Sequence, residues 1–206
     1  MSISILSISF KSINFTVSSF RLFDIYNYMP KIKNRKIISR TNLFRVDQLD
    51  INFDTGQDRQ YEVICGTGNG AVMVIPILDS QIIFIREYAA AIDDYSLTLP
   101  KGKIDDGETV MQAANRELQE EIGYKSGNLE FLYLLDLAPG YINHKTNIVL
   151  ATSLTPSKLE GDEPEDLDIV KCKTSDVAEF LSGEKNIDSR VLSSLYILNN
   201  FLKKNG

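Results

Sequence analysis

The stretch GKIDDGETVMQAANRELQEEIGY, residues 102–124, carries most of the information about the fold. Its apolar residues recur at three- and four-residue spacing, which predicts an amphipathic helix that begins near Asp106 or Gly107 and ends at Gly123. We expect the apolar face of this helix to pack on a sheet. That face consists of Val110, Ala113, Ala114, Leu118 and Ile122.

A second face of the same helix carries Glu117, Glu120 and Glu121 at positions i, i+3 and i+4. Like charges at this spacing repel each other, and anions near a helix C-terminus oppose its dipole. A cation would relieve both effects, and a set of oxygen ligands favours Mg²⁺ or Mn²⁺ over zinc. The alternative is an acidic stripe that faces solvent.

The spacing of the stretch favours the metal site. It reads glycine, five residues, glutamate, seven residues, Arg-Glu and an aliphatic residue, one residue, Glu-Glu, one residue and glycine. This pattern resembles the signature of the Nudix hydrolases, with Tyr124 as a departure where an aliphatic residue is usual. The matching positions are Gly102, Glu108, Arg116, Glu117, Leu118, Glu120, Glu121 and Gly123.

The resemblance implies an α/β fold, the Nudix α/β/α sandwich with a mixed sheet, preceded here by an N-terminal β-hairpin unit. It also implies that Glu117, Glu120 and Glu121 bind the divalent ions, with the backbone carbonyl of Lys101 as a further ligand. The chemistry agrees, because a pyrophosphate repels an attacking hydroxide until cations neutralise its charge.

By the same resemblance, Arg116 and Glu108 pair to hold the helix in place, and we assign both to the catalytic set with Glu120 and Glu121. An acidic loop after the motif supplies the catalytic base in related pyrophosphatases. Six of the nine residues 160–168 are acidic here. We choose Glu163 as the base, ahead of Glu165; a solvated loop is the alternative.

Two other residues bear on the substrate. Arg86, at the end of a predicted strand, is the candidate substrate-binding residue because a guanidinium group binds phosphate oxygens in pairs. The alternative is a surface ion pair with Glu87 or Asp93. His144, the single histidine, is not assigned to catalysis, since a lone histidine is more often an ordinary surface or hydrogen-bonded residue.

The resemblance extends over about residues 36–203, through AVMVIPILDSQIIFIREYA, LAPGYINHKTNIVLA and LEGDEPEDLD, to the Nudix enzymes that act on ADP-linked compounds. It implies Mg²⁺-dependent hydrolysis of ADP-ribose, NADH or diadenosine polyphosphates to AMP and a second phosphorylated product. His144 stands where ADP-ribose pyrophosphatases normally have glutamate, which weakens a strictly ADP-ribose-specific interpretation. The alternatives are a GDP-sugar pyrophosphatase and a non-catalytic nucleotide sensor, and the intact glutamates argue against the sensor.

Composition limits the partners. The formal net charge of −6 argues against a nucleic-acid-binding surface, and no apolar run reaches the roughly 20 residues that span a bilayer. We therefore expect a small-molecule nucleotide as the ligand and no membrane partner. Cys65 and Cys172 lie 107 residues apart in a pattern typical of neither zinc sites nor disulfide frameworks, so a cytoplasmic location is expected.

We expect three parts in the chain, the first of which ends where the composition changes at Met29. We expect residues 1–28 to be an extension outside the fold, either untranslated because translation begins at Met29, or disordered; a transit peptide is a further alternative. Residues 29–66 are assigned to an N-terminal dimerisation unit, and residues 67–206 to the Nudix domain. An isolated hairpin is marginal in water, and the resemblance implies that such an N-terminal unit serves for dimerisation. A hairpin over about residues 36–64 is therefore expected to contribute to the partner's substrate pocket in a homodimer; the alternative is that it folds back on its own domain.

Alternation and apolar runs predict further elements. Strands are expected at 71–79, 81–88, 129–138, 146–154 and 169–172. Helices are expected at 175–183 and 189–204, with Ser175 and Asp188 as caps.

Overall fold

The computed structural model describes residues 29–66 and 68–205 of the 206-residue chain. These residues form two compact units. The larger contains residues 68–135 and 145–205, and the smaller contains residues 29–66 and 136–144. The expectation for residues 1–28 concerns a segment outside the described residues.

The described residues contain eleven strands and three α-helices, joined by turns and loops. The strands are β1 Lys31–Arg40, β2 Phe44–Asn52, β3 Asp58–Gly66, β4 Ala71–Leu78, β5 Gln81–Ala89, β6 Asp94–Thr98, β7 Lys101–Lys103, β8 Tyr124–Asp136, β9 Ile142–Asn143, β10 Lys145–Pro156 and β11 Asp168–Lys173. The helices are α1 Val110–Glu117, α2 Val177–Ser182 and α3 Ser189–Asn205. A π-helical turn, Leu118–Ile122, directly follows α1.

The larger unit is built on a mixed sheet in the order β11-β5-β4-β10-β8, with β6 paired to β5 and β7 to β4. Strands β10 and β4 are parallel, whereas β11 and β5 are antiparallel. Because side chains alternate along a strand, Met73 and Ile75 of β4 pack in one core cluster with residues of α3, while Val72 and Val74 pack in another with residues of α1. Helices therefore cover both faces, and the predicted α/β/α sandwich is confirmed.

The motif helix begins later than predicted. Gly107 has a φ of +82°, which ends any helical path there, and α1 begins at Val110. Thr109 and Gln112 form a capping box at this start, as their side chains and backbone N–H groups bond reciprocally. The predicted end is confirmed, since Gly123 takes a left-handed conformation with φ +73°. The predicted apolar face packs in the core cluster that contains Val72 and Val74 of β4, which is the α1-side core.

The smaller unit has more strands than the predicted hairpin. Strands β2 and β3 form that hairpin, but its sheet has the order β1-β2-β3-β9, with β9 parallel to β3. The prediction missed most of β1 because every residue of KIKNRKIISR is exposed, so the strand shows no apolar alternation. The two-residue β9 is too short to leave a pattern.

The predicted helix caps differ in outcome. Asp188 accepts a hydrogen bond from the backbone N–H of Arg190 at 2.9 Å, which confirms it as the cap of α3. Ser175 is not a cap, because Asp176 precedes α2 and the Ser175 hydroxyl donates to the Asp176 carboxylate. Across the described ranges, none of the helices has the length and apolar character needed to cross a bilayer.

Candidate active site

The carboxylates of the motif line a cleft of about 500 Å³ in the larger unit. The cleft lies between the end of the motif helix and the acidic loop. Its lining consists of Glu117, Glu120, Glu121, Lys158 and residues 160–167. Glu117 and Glu121 are only 7% and 5% exposed, so the helix presents two nearly buried carboxylates rather than a solvated stripe.

Arg116 connects the acidic residues around the cleft. Its Nε and Nη2 each donate at 3.0 Å to the Glu108 carboxylate, and its Nη1 donates to Glu117 at 2.7 Å and to Glu120 at 2.8 Å. Nη2 also donates to the Lys103 carbonyl at 2.8 Å. Hydrogen bonds to Glu108 raise the pKa of Arg116, and the same bonds lower the pKa of Glu108. The structure thus places Arg116 beside Glu108, while their catalytic role stays a prediction.

Strand β7 passes very close to the motif helix. The backbone N–H of Lys101 donates to Glu121 Oε2 at 2.9 Å. A Cβ atom added to Gly102 would lie 1.9 Å from Glu117 Oε1, which is far inside van der Waals contact. A Cβ at this position would therefore have to displace the Glu117 carboxylate. Lys101 and Gly102 line a second pocket, which shares Glu117, Glu120 and residues 160–163 with the acidic cleft.

The buried carboxylates fit a divalent cation. Burial raises the pKa of Glu117, and burial raises the pKa of Glu121 to about 8 despite the opposing charge of Lys101. Such shifts show that the ionised carboxylates are poorly compensated by the protein itself. A hard divalent cation with oxygen ligands would supply the missing charge, and Glu117, Glu120 and Glu121 could hold it.

A further carboxylate joins this group from the sheet. Oxygen atoms of Glu87, Glu121 and Glu163 lie within 4.8 Å of one another. Glu87 comes from β5 and Glu163 from the acidic loop, so three separate elements supply the carboxylates. Glu165, the second choice for the base, instead accepts a hydrogen bond from the Tyr95 hydroxyl at 2.9 Å.

The sequence did not point to Glu87 as a candidate site residue. Glu87 was considered there only as an ion-pair partner of Arg86. The available signal was the position of Glu87 in its strand. Glu87 lies two residues after the buried Ile85, and residues two apart on a strand face the same way.

The alternative interpretation expected Arg86 to pair with Glu87 or Asp93, but the salt bridges of Arg86 are with other carboxylates. Its Nη2 lies 2.6 Å from Glu184 and its Nη1 lies 2.8 Å from Asp168, its register partner on β11. Bonds to Glu184 and then Asp168 raise its pKa. The guanidinium is thus occupied by two carboxylates, and substrate binding by Arg86 stays a prediction.

The structure also shows the surroundings of His144 and Tyr124, two residues that the sequence analysis discussed. His144 lies in the smaller unit, where its carbonyl accepts a hydrogen bond from the Leu137 N–H at 3.0 Å. Tyr124 packs against the α1-side core, and the Lys171 ammonium lies 5.6 Å from the centre of its ring. The aromatic side chain is therefore accommodated at the position where the motif usually has an aliphatic one.

The comparisons with known proteins agree with this geometry. The profile of the NUDIX domain matches residues 69–194, and that of the NudE-type Nudix hydrolase N-terminal domain matches residues 30–62. The chain belongs to the Nudix hydrolase family and is an enzyme of that family, as the motif predicted.

Individual proteins of the family resemble the chain over most of its length. The chain is 42% identical to the ADP compounds hydrolase NudE of Escherichia coli K12, over 86% of this chain and 95% of the relative. It is 26% identical to the methanol dehydrogenase activator of Bacillus methanolicus, over 82% and 95% of the two chains. A crystal structure of an ADP compounds hydrolase superposes with a TM-score of 0.78 at 41% identity, and the match covers 86% of this chain and 96% of the other.

Proposed function

We propose that the protein hydrolyses the pyrophosphate bond of ADP-linked compounds, with Mg²⁺ or Mn²⁺, to AMP and a second phosphorylated product. ADP-ribose, NADH and diadenosine polyphosphates are the proposed substrates. The observation that carries the proposal is the nearly buried Glu121, which lies within 4.8 Å of Glu87 and Glu163 in an acid-lined cleft. Similarity to the ADP compounds hydrolase of Escherichia coli supports the substrate class.

Each residue has a definite task in this proposal. Glu117, Glu120, Glu121 and the Lys101 carbonyl would hold the cations, which supply positive charge to the pyrophosphate and make water more acidic. Glu163 takes the proton of the attacking water. The water oxygen bonds to one phosphorus while the bridging oxygen leaves with the other, so one pyrophosphate yields two monophosphates.

Arg116 acts on the reaction only through the carboxylates. Its fork keeps Glu117 and Glu120 in place and is itself held by Glu108. Both residues therefore orient the ligands rather than touch the substrate.

A product assay tests the proposal directly. The full chain is incubated with ADP-ribose, NADH, diadenosine triphosphate or GDP-mannose, in Mg²⁺, in Mn²⁺ and in excess chelator, and AMP is measured by chromatography. We expect AMP from the adenosine compounds with either metal and none in chelator. Glu121→Gln should lower kcat on the order of a hundredfold or more, the scale seen when one electrostatic element of a site is removed.

Glu130→Gln is the matched control, since Glu130 is exposed on β8 and does not line the cleft. Its turnover should equal that of the unchanged protein. Preferred cleavage of GDP-mannose would make the protein a GDP-sugar pyrophosphatase. Nucleotide binding without any product in the presence of metal would make it a sensor.

We further propose a homodimer in which the strands of residues 29–66 form the dimerisation unit and contribute to the partner's substrate pocket. Phe44 and Ile64 are 52% and 37% exposed. They share a face of the β2–β3 pair, because Ile64 is opposite Val46 and Val46 lies two residues from Phe44. An exposed apolar patch of this kind is typical of an interface.

A reducing cytoplasmic location fits the two buried free thiols, Cys65 and Cys172.

A further inference from the structure

The ammonium group of Lys101 lies beside the three converging carboxylates of Glu87, Glu121 and Glu163. Its Nζ contacts Glu87 Oε2, and the side chains of Lys101 and Glu87 are only 16% and 22% exposed. Glu87 in turn has an oxygen within 4.8 Å of Glu121 and Glu163. A cation carried by the protein is therefore already bound to one of the three converging carboxylates.

We propose that Glu87 is a further ligand of the divalent cation, and that Lys101 is its counterion, which releases Glu87 when the cation binds. The released ammonium is then free to bind a phosphate oxygen of the substrate. This inference rests on the proposed function, because it concerns the same metal site.

The origin of the three carboxylates supports a ligand role for Glu87. Their oxygens come from β5, from the π-helical turn and from the loop after β10, and the fold brings them within 4.8 Å of one another. A hard divalent cation binds several oxygen ligands, so these carboxylates could serve one ion together. A single ammonium charge leaves the group underneutralised, so a divalent cation is the stronger partner for it.

Two other cations near the carboxylates, Arg116 and Lys158, differ from Lys101. Arg116 is bound to three carboxylates at once, and Lys158 Nζ donates to the Glu120 carbonyl at 2.5 Å. Neither contact involves Glu87 or Glu163. Lys101 is thus distinguished by a partner within the group of converging carboxylates, and its flexible stem can turn the charge toward a ligand.

Manganese binding without nucleotide tests the inference. Free Mn²⁺ is titrated by electron paramagnetic resonance with the full chain and with Glu87→Gln, Lys101→Met and the exposed control Lys203→Met. We expect Glu87→Gln to weaken Mn²⁺ binding about tenfold, in the range found when the surroundings of a metal are altered. Lys101→Met should bind Mn²⁺ at least as tightly as the unchanged protein, since a competing charge is lost, and the control should bind as the unchanged protein does.

The kinetic readout follows from the release of Lys101. Lys101→Met should raise KM for the nucleotide severalfold with a smaller change in kcat, because a ground-state contact to phosphate is removed. A purely structural lysine would not combine a raised KM with unweakened metal binding.

Two results would overturn the inference. Unchanged Mn²⁺ binding by Glu87→Gln would show that Glu87 is no ligand, and weaker binding by Lys101→Met would show that Lys101 merely supports the site. If Glu87→Gln does not fold, Glu87→Asp replaces it, since the shorter carboxylate should also weaken binding. A protein that binds Mn²⁺ as described but cleaves no nucleotide would refute the proposed function and leave this inference intact.

Discussion

Gly102 shows how a single residue can set the position of a carboxylate. The backbone of β7 lies against the side chain of Glu117, and the space for a Cβ atom is already filled by the carboxylate. The glycine is thus a packing requirement of the site, and its φ does not lie in the left-handed region. The matching Glu117 receives one guanidinium bond from Arg116 and is otherwise directed at the cleft.

Gly102→Ala should therefore displace Glu117. We expect a protein that folds but loses turnover by about a hundredfold, since misplaced groups in a site carry penalties of this size. Turnover and Mn²⁺ binding are the measurements. Gly68→Ala is the control, because Gly68 belongs to the larger unit and a Cβ there meets nothing within 4 Å. Full activity of Gly102→Ala would show that Glu117 can move without consequence.

Glu121 predicts a pH dependence of stability in excess chelator. Its pKa is raised from an ordinary 4.5 to about 8 in the folded state, so the folded protein binds more protons than the unfolded chain between these values. The contribution of Glu121 to the free energy of unfolding is fully present below about pH 4.5 and is lost as the pH rises through about 8. Urea unfolding should show a free energy that falls toward pH 8, with a slope of at most about 1.4 kcal/mol per pH unit from this group.

The Glu121→Gln variant isolates that group. Its free energy of unfolding should fall less steeply over the same pH range, because the glutamine cannot titrate. Equal slopes in the two proteins would assign the titration to another residue.

At the scale of elements, the motif helix combines regular and irregular segments. The capping box at Thr109 fixes the start of α1, and the π-helical turn before Gly123 carries Glu120 and Glu121. A π-helical turn changes the angular spacing of the residues after it and is often found at functional sites. The positions of the last two glutamates therefore depend on five residues that do not follow the ordinary helix.

The cap gives a test confined to this element. Thr109→Ala should lower the free energy of unfolding by about 1 kcal/mol, because the Gln112 N–H loses its acceptor. Chemical unfolding measures the change, and Thr109→Ser is the control that keeps the hydroxyl. No loss in the alanine variant would mean that the helix start is held by tertiary contacts alone.

The elements also show what could be predicted from the sequence. The apolar face of α1 and the buried strands β4 and β5 were predictable because burial leaves a period in the sequence. The strand β1 and the π-helical turn were not, since an exposed strand has no such period and the turn depends on packing. The motif spacing made Glu121 a candidate ligand, but Glu87 belongs to a different element, and its contact with Lys101 arises only when β5 and β7 are brought together.

At the scale of the whole molecule, the exposed face of the smaller unit bears on assembly. Combining Phe44→Glu with Ile64→Glu should convert a homodimer into monomers, because burying two charges in an apolar interface is costly. Sedimentation velocity at micromolar concentration gives the mass. Tyr196→Glu, at an exposed position on α3 of the larger unit, is the matched control and should leave the mass unchanged. A monomeric mass for the unchanged, active protein would refute the dimer and the shared pocket together.

The acid-lined cleft also affects how fast a nucleotide arrives. A polyanion that approaches a cleft bordered by carboxylates, on a molecule of formal charge −6, meets repulsion before it meets any ligand. Added salt screens that repulsion, so the bimolecular rate constant for metal-free nucleotide should increase with ionic strength in stopped-flow measurements. A nucleotide that already carries Mg²⁺ has less charge to be repelled, and diffusion itself would then favour the complex that the proposed reaction would use.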